Sequence, residues 1–327
     1  MKKKIFITGG AGYVGCALAD YLVKKGYSVT VFDLFIYGEN VFEKKNDIKL
    51  IKGDIRDRKL LEESIKNQDI VIHLACISND PSFDLNPSLG KSINLDAFEP
   101  LVKISKNLNV ERFIYASSSS VYGIKDMKDV HEDISLDPIT DYSKFKAQCE
   151  EILMKYKDEN FTAVVIRPAT VCGYSKRQRL DLIVNILANL GYHKKEISVF
   201  GGEQLRPNIH IKDMVRSYKY LIEADKKLVN GEIFNAGWEN LSVSKIANIV
   251  KSELGDDIKL VVTPTDDNRS YHISSKKIRN KLNFITKYTI NDAVKDLKLA
   301  FEKKVFKDSL NNPDFFNIKK MQKINLK

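Results

Sequence analysis

The sequence of 327 residues predicts an α/β protein in which a doubly wound parallel sheet is combined with a smaller, partly interleaved α/β domain. Short apolar runs rich in β-branched residues alternate with longer amphipathic stretches through the first two thirds of the chain, which is typical of such a sheet. The first apolar run leads straight into a glycine-rich turn and a helical pattern. After Pro168 the alternation loosens, and a chain of this length can bury a second core.

The apolar runs predict the strands of the main sheet at residues 5–8, 29–32, 48–51, 70–74, 113–116 and 163–166. The amphipathic stretches between them predict helices at residues 14–25, 60–66, 98–107 and 143–156. Later patterns predict helices at 180–190, 243–254 and 293–301 and strands at 233–235 and 260–262. We therefore assign the first domain residues 1–172 and 206–236, and the second domain residues 173–205 and 237–327. The tail after Phe301 is rich in lysine and asparagine and is expected to be a loosely held cap.

The chain carries a formal net charge of +10 and has a pI near 9.1, which raises the question of nucleic-acid binding. Its lysines are spread along the whole chain, and no basic run is interleaved with aromatic residues as single-strand binding requires. The charge therefore favours a solvated, lysine-rich surface and no nucleic-acid partner. An anionic small-molecule substrate is the second interpretation.

The first residues, Met1-Lys-Lys-Lys4, resemble the start of a secretory signal, but the apolar run after them has only three residues before Thr8. We therefore expect a cytoplasmic protein with no membrane span. The cysteines are widely spaced, so we expect reduced thiols, no disulfide framework and no metal site. They are Cys16, Cys76, Cys149 and Cys172.

The glycines at positions 9, 12 and 15 lie between the first predicted strand and the first predicted helix. Glycine at this spacing lets the backbone turn tightly, approach a pyrophosphate and pack helix against strand. The phosphates would lie at the helix N-terminus, where free N–H groups and the helix dipole favour negative charge. The sequence therefore predicts a Rossmann-type dinucleotide site.

Two carboxylates follow the next predicted strands. Asp33 lies 21 residues after Gly12, near the spacing at which a carboxylate accepts hydrogen bonds from the adenosine ribose. A 2′-phosphate would be repelled there, and Leu34 and Phe35 offer no cation, so NAD is favoured over NADP. Asp33 could instead be a turn residue. Asp54 could meet the adenine amino group or cap a helix.

The run Tyr142-Ser-Lys-Phe-Lys146 follows a string of four serines that ends at Ser120. Residues four apart share one face of a helix, so the Tyr142 phenol and the Lys146 ammonium are predicted to lie side by side. A phenol has a pKa of about 10, and an adjacent cation would lower it enough for base catalysis. Spacing alone does not decide this, because Tyr21 and Lys25 have the same spacing on an amphipathic helix.

Together these motifs resemble the extended short-chain dehydrogenase/reductase family of nucleotide-sugar epimerases, dehydratases and reductases. The resemblance covers nearly the whole chain. It rests on the runs Thr8-Gly-Gly-Ala-Gly-Tyr-Val-Gly15, Gly53-Asp-Ile-Arg-Asp57, His73-Leu-Ala75, Tyr115-Ala-Ser-Ser-Ser-Ser-Val-Tyr-Gly123, Tyr142-Ser-Lys-Phe-Lys146, Arg167-Pro-Ala-Thr-Val171 and Arg206-Pro-Asn-Ile-His-Ile-Lys-Asp213.

The resemblance implies that Tyr142 is the catalytic base, Ser118 its partner on the reacting oxygen, and Lys146 the cation that also holds the nicotinamide ribose. The protein would bind NAD and a nucleotide-diphosphate sugar, and relatives usually form homodimers through the tyrosine-bearing helix and its neighbour. The implied cofactor-binding residues are Gly9, Gly12, Tyr13, Val14, Gly15, Asp33, Leu34, Asp54, Ile55, Leu74, Ala75, Ala116, Ser117, Tyr142, Lys146 and Pro168.

The same resemblance places the substrate diphosphate against Arg206 and Arg269, whose planar cations suit bidentate phosphate contacts. Asn94 would lie near the nicotinamide, although a lone helical asparagine often bonds locally. Arg179 and Arg177 are further candidates for substrate binding. The alternative is that they belong to the solvated, charged start of a helix. Three other side chains are expected to be packed rather than catalytic: His73, His210 and Cys172.

In this family the oxidised position is commonly C4 of the hexose. Dehydratases of this kind carry an acidic residue just after the catalytic hydroxyl residue, but this chain has Ser119 and Ser120 there, which argues against elimination of water. Enzymes that epimerise at C3 and C5 usually bring a cysteine into this string, and none is present. The ketone would then leave as the product of a 4-dehydrogenase or be reduced again by a 4-epimerase.

Three further segments resemble a bacterial branch that acts on unusual surface-polysaccharide sugars and includes GDP-heptose 4-dehydrogenases of capsule pathways. They favour C4 oxidation of such a sugar, with a UDP-glucose 4-epimerase-like activity as the alternative. A dinucleotide-binding regulator is disfavoured, because regulators of this fold commonly lose the active-site tyrosine or lysine. The segments are residues 33–38, 78–82 and 267–271.

Overall fold

The computed structural model describes residues 3–42, 48–125, 127, 129–265, 270, 272–324 and 326. Within these ranges the strands are β1 (Lys4–Thr8), β2 (Ser28–Asp33), β3 (Ile48–Lys52), β4 (Ile70–His73), β5 (Arg112–Ala116), β6 (Thr162–Pro168), β7 (Thr170–Cys172), β8 (Glu196–Phe200), β9 (Leu205–His210), β10 (Glu232–Ala236), β11 (Glu239–Ser242) and β12 (Lys259–Thr263).

The helices over the same ranges are α1 (Tyr13–Lys24), α2 (Arg58–Ile65), α3 (Asp80–Phe83), α4 (Pro87–Lys91), α5 (Phe98–Asn107), α6 (Asp141–Tyr156), α7 (Ile183–Lys194), α8 (Ile211–Glu223), α9 (Lys226–Val229), α10 (Val243–Leu254), α11 (Lys276–Leu282), α12 (Ile290–Glu302) and α13 (Asn317–Ile324). A π-helical turn covers Ser92–Asp96, and 3₁₀ turns cover Ser119–Tyr122 and Pro313–Phe315. No helix in the described part of the chain has the length and apolarity needed to cross a membrane.

Seven parallel strands form the main sheet in the order β10-β6-β5-β4-β1-β2-β3. The predicted Rossmann-type doubly wound sheet is therefore confirmed. The three strands β11, β9 and β7 make a second sheet, and β12 pairs with β8 in a third. The predicted helices are present. Two begin at the predicted residue and the other starts are displaced by one to three residues, because side-chain periodicity does not locate the capping residue.

The order of the main sheet reverses between β1 and β4, which are neighbours although two strands separate them in sequence. The chain leaves β1 towards β2 on one side and leaves β4 towards β5 on the other, so a crevice opens at the carboxyl ends of β1 and β4. The residues that follow these strands, Gly9 and Leu74, therefore begin the two loops that face each other across this crevice.

Alternate side chains of β1 supply the two cores on opposite faces of the main sheet. Ile5 and Ile7 belong to one apolar cluster, whereas Phe6 belongs to the other. A third cluster joins α7, α10 and α12 to β8, and it includes Leu187, Val250 and Leu297. The segment from residue 273 to 284 packs with the first cluster, so the two predicted domains share this part of the core.

The tail is packed rather than loosely held. Ser309 is buried and donates a hydrogen bond to the Asn189 carboxamide at 2.7 Å. Phe316 packs against the third cluster, and Met321 packs against the second. The tail therefore runs from one core to the other and passes the crevice between them. The lysine and asparagine content of this segment concealed the few apolar residues that anchor it.

Candidate active site

A cavity of about 590 Å³ lies at the carboxyl ends of β1, β2 and β4–β6. Nearly all of the predicted site residues line it, although they come from distant parts of the sequence. They are Gly9, Gly12, Tyr13, Val14, Gly15, Asp33, Leu34, Asp54, Ile55, Leu74, Ala75, Ala116, Ser117, Ser118, Tyr142, Lys146, Pro168, Arg179 and Arg206.

The glycine turn brings backbone rather than side chain to the cavity. Gly9 has φ +70°, and a Cβ on it would lie 2.5 Å from the Ala75 backbone nitrogen. Gly12 precedes α1 and makes no side-chain cap, so no side chain satisfies the first N–H groups of the helix, and residues 12–15 line the cavity. These donors and the dipole fit a pyrophosphate. The Tyr13 phenol points away and donates to the Gly173 carbonyl at 2.7 Å.

Asp33 ends β2, and its carboxylate accepts hydrogen bonds from the backbone N–H of Ala11 at 3.0 Å and of Phe35 at 2.8 Å. Burial raises the pKa of Asp33, while these backbone donors lower it in part. Asp33 is thus a turn residue that braces the glycine loop, and it also lines the cavity where the ribose is predicted. The two interpretations of its role are compatible.

Asp54 accepts hydrogen bonds from the Arg56 guanidinium, one of them at 2.6 Å. Partial burial raises the pKa of Asp54, but the bonds from Arg56 outweigh it and lower the pKa below its ordinary value. The alternative that Asp54 caps a helix is wrong, because Asp57 caps α2 by accepting from the Leu60 N–H at 3.0 Å.

The start of α6 is fixed by a capping box between Thr140 and Ser143. This cap places Tyr142 in the first turn of the helix and Lys146 one turn later, with both side chains on the cavity wall. The Lys146 Nζ lies 5.8 Å from the centroid of the Tyr142 ring and donates to the Ala116 carbonyl at 2.7 Å. The end of β5 therefore holds the ammonium in place.

The expected lowering of the Tyr142 pKa is not found. Burial raises the pKa of Tyr142, and the nearby Asp80 carboxylate raises it further. Arg179 and the Ser118 hydroxyl lower it, but they do not compensate for burial. Sequence spacing identified the cation at Lys146 but could not show how far the phenol is desolvated.

The serine string turns its hydroxyls in different directions. The Ser118 Oγ accepts from the Ser120 N–H at 3.1 Å and lies 2.8 Å from the Ser120 Oγ, so these two hydroxyls support each other beside the cavity. The Ser117 hydroxyl instead donates to Glu150 behind the site. Glu150 is paired with Arg167 at 2.6 Å, and both side chains are buried. A buried ion pair therefore underlies the loop that carries Ser118.

The two histidines and the cysteine that were expected to be packed are packed. His73 is buried, and its Nδ1 lies 2.7 Å from the Thr8 hydroxyl. His210 is buried and accepts from the Lys212 N–H at 3.0 Å. Cys172 is buried in the third cluster, and burial raises its pKa. None of these groups is among the side chains that line the cavity within the described residues.

Asn94 is not placed for substrate contact. Its side chain is buried in the π-helical turn, where it accepts from the Ile77 N–H at 2.8 Å and donates to the Ile77 carbonyl at 2.9 Å. These two bonds engage both ends of the amide, so Asn94 holds the loop after β4. The expectation of a substrate contact overlooked this local pairing. Arg269 lies outside the described residues, whereas Arg206 lines the cavity.

Arg177 and Arg179 are buried, so the interpretation as a solvated helix start is wrong. Both line the cavity beside Tyr37, Asp181 and Asn317, for which no role was predicted. The closely spaced arginines were the one available signal. Nothing in the sequence indicated that an asparagine about 140 residues later would join them.

The parallel sheet, the glycine turn at its switch point and the facing serine, tyrosine and lysine define a dinucleotide-dependent oxidoreductase of the short-chain dehydrogenase/reductase class. More narrowly, the chain belongs to the NAD dependent epimerase/dehydratase family, whose model matches residues 5–237. The family is NAD dependent, and the glycine turn and Asp33, which line the cavity, fit that dinucleotide.

Similar proteins carry more than one activity. A dTDP-D-glucose 4,6-dehydratase from Dictyostelium discoideum is 31% identical over 275 residues, which is 76% of this chain but 62% of that protein. A UDP-glucose 4-epimerase from Lactobacillus helveticus is 26% identical, in an alignment that spans 89% of this chain and 94% of that protein. The crystal structure of UDP-glucose 4-epimerase with UDP-glucose from Thermotoga maritima superimposes on this chain with a TM-score of 0.83 and 25% identity. The superposition covers 93% of this chain and 100% of that one.

Proposed function

We propose that this protein uses NAD to oxidise the C4 hydroxyl of a nucleotide-diphosphate sugar, acting as a sugar-nucleotide 4-dehydrogenase. The observation that carries the proposal is that Ser118, Tyr142 and Lys146 line the same cavity as the glycine turn and Asp33. A hydroxyl held by Ser118 and Tyr142 would therefore lie beside the cofactor that the turn is built to hold. The cofactor, when bound, supplies the hydride acceptor.

The three side chains have distinct tasks. Tyr142 accepts the proton from the sugar hydroxyl, and Ser118 donates a hydrogen bond to the same oxygen as the carbonyl forms. Lys146 lies 5.8 Å from the Tyr142 ring centroid and stabilises the phenolate. Because burial raises the Tyr142 pKa, base catalysis depends on this charge and on that of Arg179, which lowers the same pKa.

The serine string argues against elimination of water after oxidation. The positions at which dehydratases of this kind hold an acidic residue are Ser119 and Ser120, and neither side chain can act as a carboxylic acid or carboxylate base. Ser119 is buried, and Ser120 lies 2.8 Å from the Ser118 Oγ, where it supports that hydroxyl. We therefore propose that the ketone is the product rather than an intermediate for dehydration.

The proposed substrate is a GDP-heptose or a related nucleotide sugar of bacterial surface-polysaccharide synthesis. Two of the segments that resemble that branch meet in the structure, because Tyr37 and Ser78 both bond to the side chain of Asn317 at the cavity. The third segment lies largely outside the described residues. We propose that Arg206 and Arg269 hold the substrate diphosphate through charge-assisted hydrogen bonds.

A 4-epimerase is the second candidate function. It is favoured by the similarity to UDP-glucose 4-epimerases, which extends over 94% of the length of one such protein. An epimerase needs the same serine, tyrosine and lysine. It differs in that the bound ketone rotates within the site and is reduced on its other face. The two activities therefore differ in what leaves the enzyme, not in the first chemical step.

One experiment tests the reaction. The protein is incubated with NAD and a panel of GDP-, UDP- and dTDP-sugars, and NADH absorbance and product mass are followed. A product two mass units lighter with NADH formed in equal amount is the expected result. A product with the mass of the substrate and inverted stereochemistry would show a 4-epimerase and refute the dehydrogenase proposal.

A matched pair of variants tests the assignment of the base. Tyr142→Phe is expected to lower the rate of hydride transfer by roughly 10²- to 10⁴-fold while NADH binding persists, because one proton-transfer group is lost. Tyr21→Phe is the control, since Lys25 lies 5.6 Å from the Tyr21 ring centroid in the same i, i+4 arrangement on α1. Equal rates in the two variants would remove Tyr142 from the mechanism.

We also propose a homodimer formed through α5 and α6, as relatives of this kind form. On these helices and the adjoining turn, Leu95, Ile104 and Ile152 are half-buried and line a shared groove with the exposed Lys103 and Gln148. Light scattering is expected to give twice the mass of 37.3 kDa. A Gln148→Arg variant places a cation in that groove. A wild-type protein that is monomeric in solution would refute the proposed dimer.

A further inference from the structure

One wall of the cavity is made by a group of side chains that we call the arginine cluster: Arg177, Arg179, Asp181, Ser78, Tyr37 and Asn317. Asn317 lies at its centre. The Asn317 Oδ1 accepts from the Arg177 Nη2 at 2.7 Å and from the Tyr37 hydroxyl at 2.9 Å. The Asn317 Nδ2 donates to the Ser78 Oγ at 2.9 Å, and its backbone N–H donates to Asp181 at 2.8 Å. The tail is therefore tied to three separate loops at this wall.

The arginine cluster holds more positive charge than its own groups neutralise. Arg179 pairs with Asp181 at 2.6 Å. Arg177 packs on the Tyr37 ring at 3.6 Å from its centroid and has no carboxylate in direct contact among the described residues. Burial lowers the pKa of Arg177, and the nearby Asp181 carboxylate opposes this shift only in part. Asp33 and Asp181 act on Arg177 electrostatically but form no direct ion pair with it, so its charge is only partly compensated and this wall favours an anion.

Two donors remain for such an anion. Within the described residues, the Arg177 Nε and the Arg179 Nη2 are buried and have no hydrogen-bond partner. Both arginines are more than nine-tenths buried, with 4% and 8% of their surface exposed. An unmade hydrogen bond from a buried charged group is costly, and two guanidinium groups side by side match the oxygens of phosphate.

The position of the cluster shows which anion fits. The backbone N–H of Arg177 lies 3.4 Å from the Cys16 Sγ in α1, and the Ser175 hydroxyl donates to the Tyr13 carbonyl at 2.9 Å. These contacts hold the arginine loop against the first turns of the helix that begins at the glycine turn. The positive charge of Arg179 also reaches Tyr142 and lowers its pKa.

We propose that Arg177 and Arg179 form a diphosphate-binding pair, separate from Arg206 and Arg269, and that Asn317 of the tail is the positioning residue that orients it. This inference rests on the proposed function only in that both ligands of that reaction carry a diphosphate. The cluster lines the same cavity as the glycine turn and Tyr142, so the diphosphate of the cofactor or of the nucleotide sugar is a candidate for it. The tail thereby becomes part of the binding site.

The test uses an isosteric charge change in the full-length protein. Asn317→Asp places a carboxylate on the Arg177 Nη2 and so gives this cation a directly bonded counter-ion. We expect the melting temperature to rise, and the dissociation constant of one diphosphate ligand to increase roughly tenfold to a hundredfold, because a charge-assisted bond is lost and the new charge repels phosphate. Gln322→Glu is the control, since it is also isosteric and adds the same charge at an exposed tail position that does not line the cavity.

Calorimetric titration with NAD, GDP and UDP distinguishes the sources. Weakened NAD binding alone assigns the pair to the cofactor, and weakened GDP or UDP binding alone assigns it to the nucleotide sugar. The Arg179→Gln variant should bind the same ligand more weakly. Unchanged binding of all three ligands in both variants overturns the inference. Ligand binding can be measured without turnover. The inference about the arginine cluster can therefore be tested even if the protein oxidises none of the sugars.

Discussion

Replacing Arg167 with methionine should destabilise the protein strongly, because Arg167 neutralises Glu150 behind the catalytic serine loop. Three contacts join the two groups, with Nε at 3.0 and 3.2 Å from the two carboxylate oxygens and Nη2 at 2.6 Å from one of them. Both side chains are almost fully buried, at 3% and 4% exposure. The Arg167 Nη1 also donates to the Tyr122 hydroxyl at 2.8 Å.

The magnitude follows from this burial. Removing one partner of a buried ion pair leaves an uncompensated charge and typically costs about 3–5 kcal/mol. The Ser117 hydroxyl remains as a donor to Glu150 but supplies only part of the lost stabilisation. Since Ser117 precedes Ser118 and Glu150 lies one turn after Lys146 on α6, the catalytic rate constant should fall as well.

Urea denaturation followed by circular dichroism measures the effect. Arg167→Met is expected to lower the unfolding free energy by about 3–5 kcal/mol, and the double variant Glu150→Gln with Arg167→Met should recover much of that loss, because no charge is left buried. The control is Lys219→Met, which breaks a more exposed pair with Glu223 and should cost under about 1 kcal/mol. A cost for Arg167→Met no larger than that of the control would refute the reasoning.

Two further predictions concern the residues beside the cavity. Burial and the Lys146 charge lower the pKa of His73 to about 3, so the unfolded chain binds more protons than the folded chain between that value and about 6.5. Stability should therefore fall with decreasing pH by up to about 1.4 kcal/mol per unit in this window. His73→Phe should flatten the slope measured by denaturation, whereas His131→Gln, the control at a half-buried histidine, should keep it. Gly15→Ala should lower the melting temperature, because its Cβ would lie 2.4 Å from the Gly9 carbonyl oxygen. In Gly12→Ala the same oxygen is 3.2 Å away, a closer contact than most Cβ atoms make but a less severe one, so the melting temperature should fall less than in Gly15→Ala while NADH fluorescence titration shows weakened binding.

Much of the cofactor half of the site was predictable because it is local in sequence. The glycine turn, Asp33 and the Tyr142-to-Lys146 spacing each lie within one strand-turn-helix unit or one helical turn, where chain geometry alone sets the relative positions. Their common location then follows from a parallel sheet, since the carboxyl ends of its strands meet at one edge. Asn94 was misassigned because a local hydrogen bond to Ile77 leaves no mark in the sequence pattern.

Residue types and their periodicity determined the fold class and the dinucleotide turn, since each depends on short-range geometry, and the resemblance of the motifs indicated the family. Tertiary structure decided what surrounds those groups. It showed that Tyr142 is desolvated, that Glu150 and Arg167 neutralise each other behind the serine loop, and that Asn317 joins the buried arginines. Burial and long-range pairing depend on how distant segments pack, and no local pattern records which charge meets which partner.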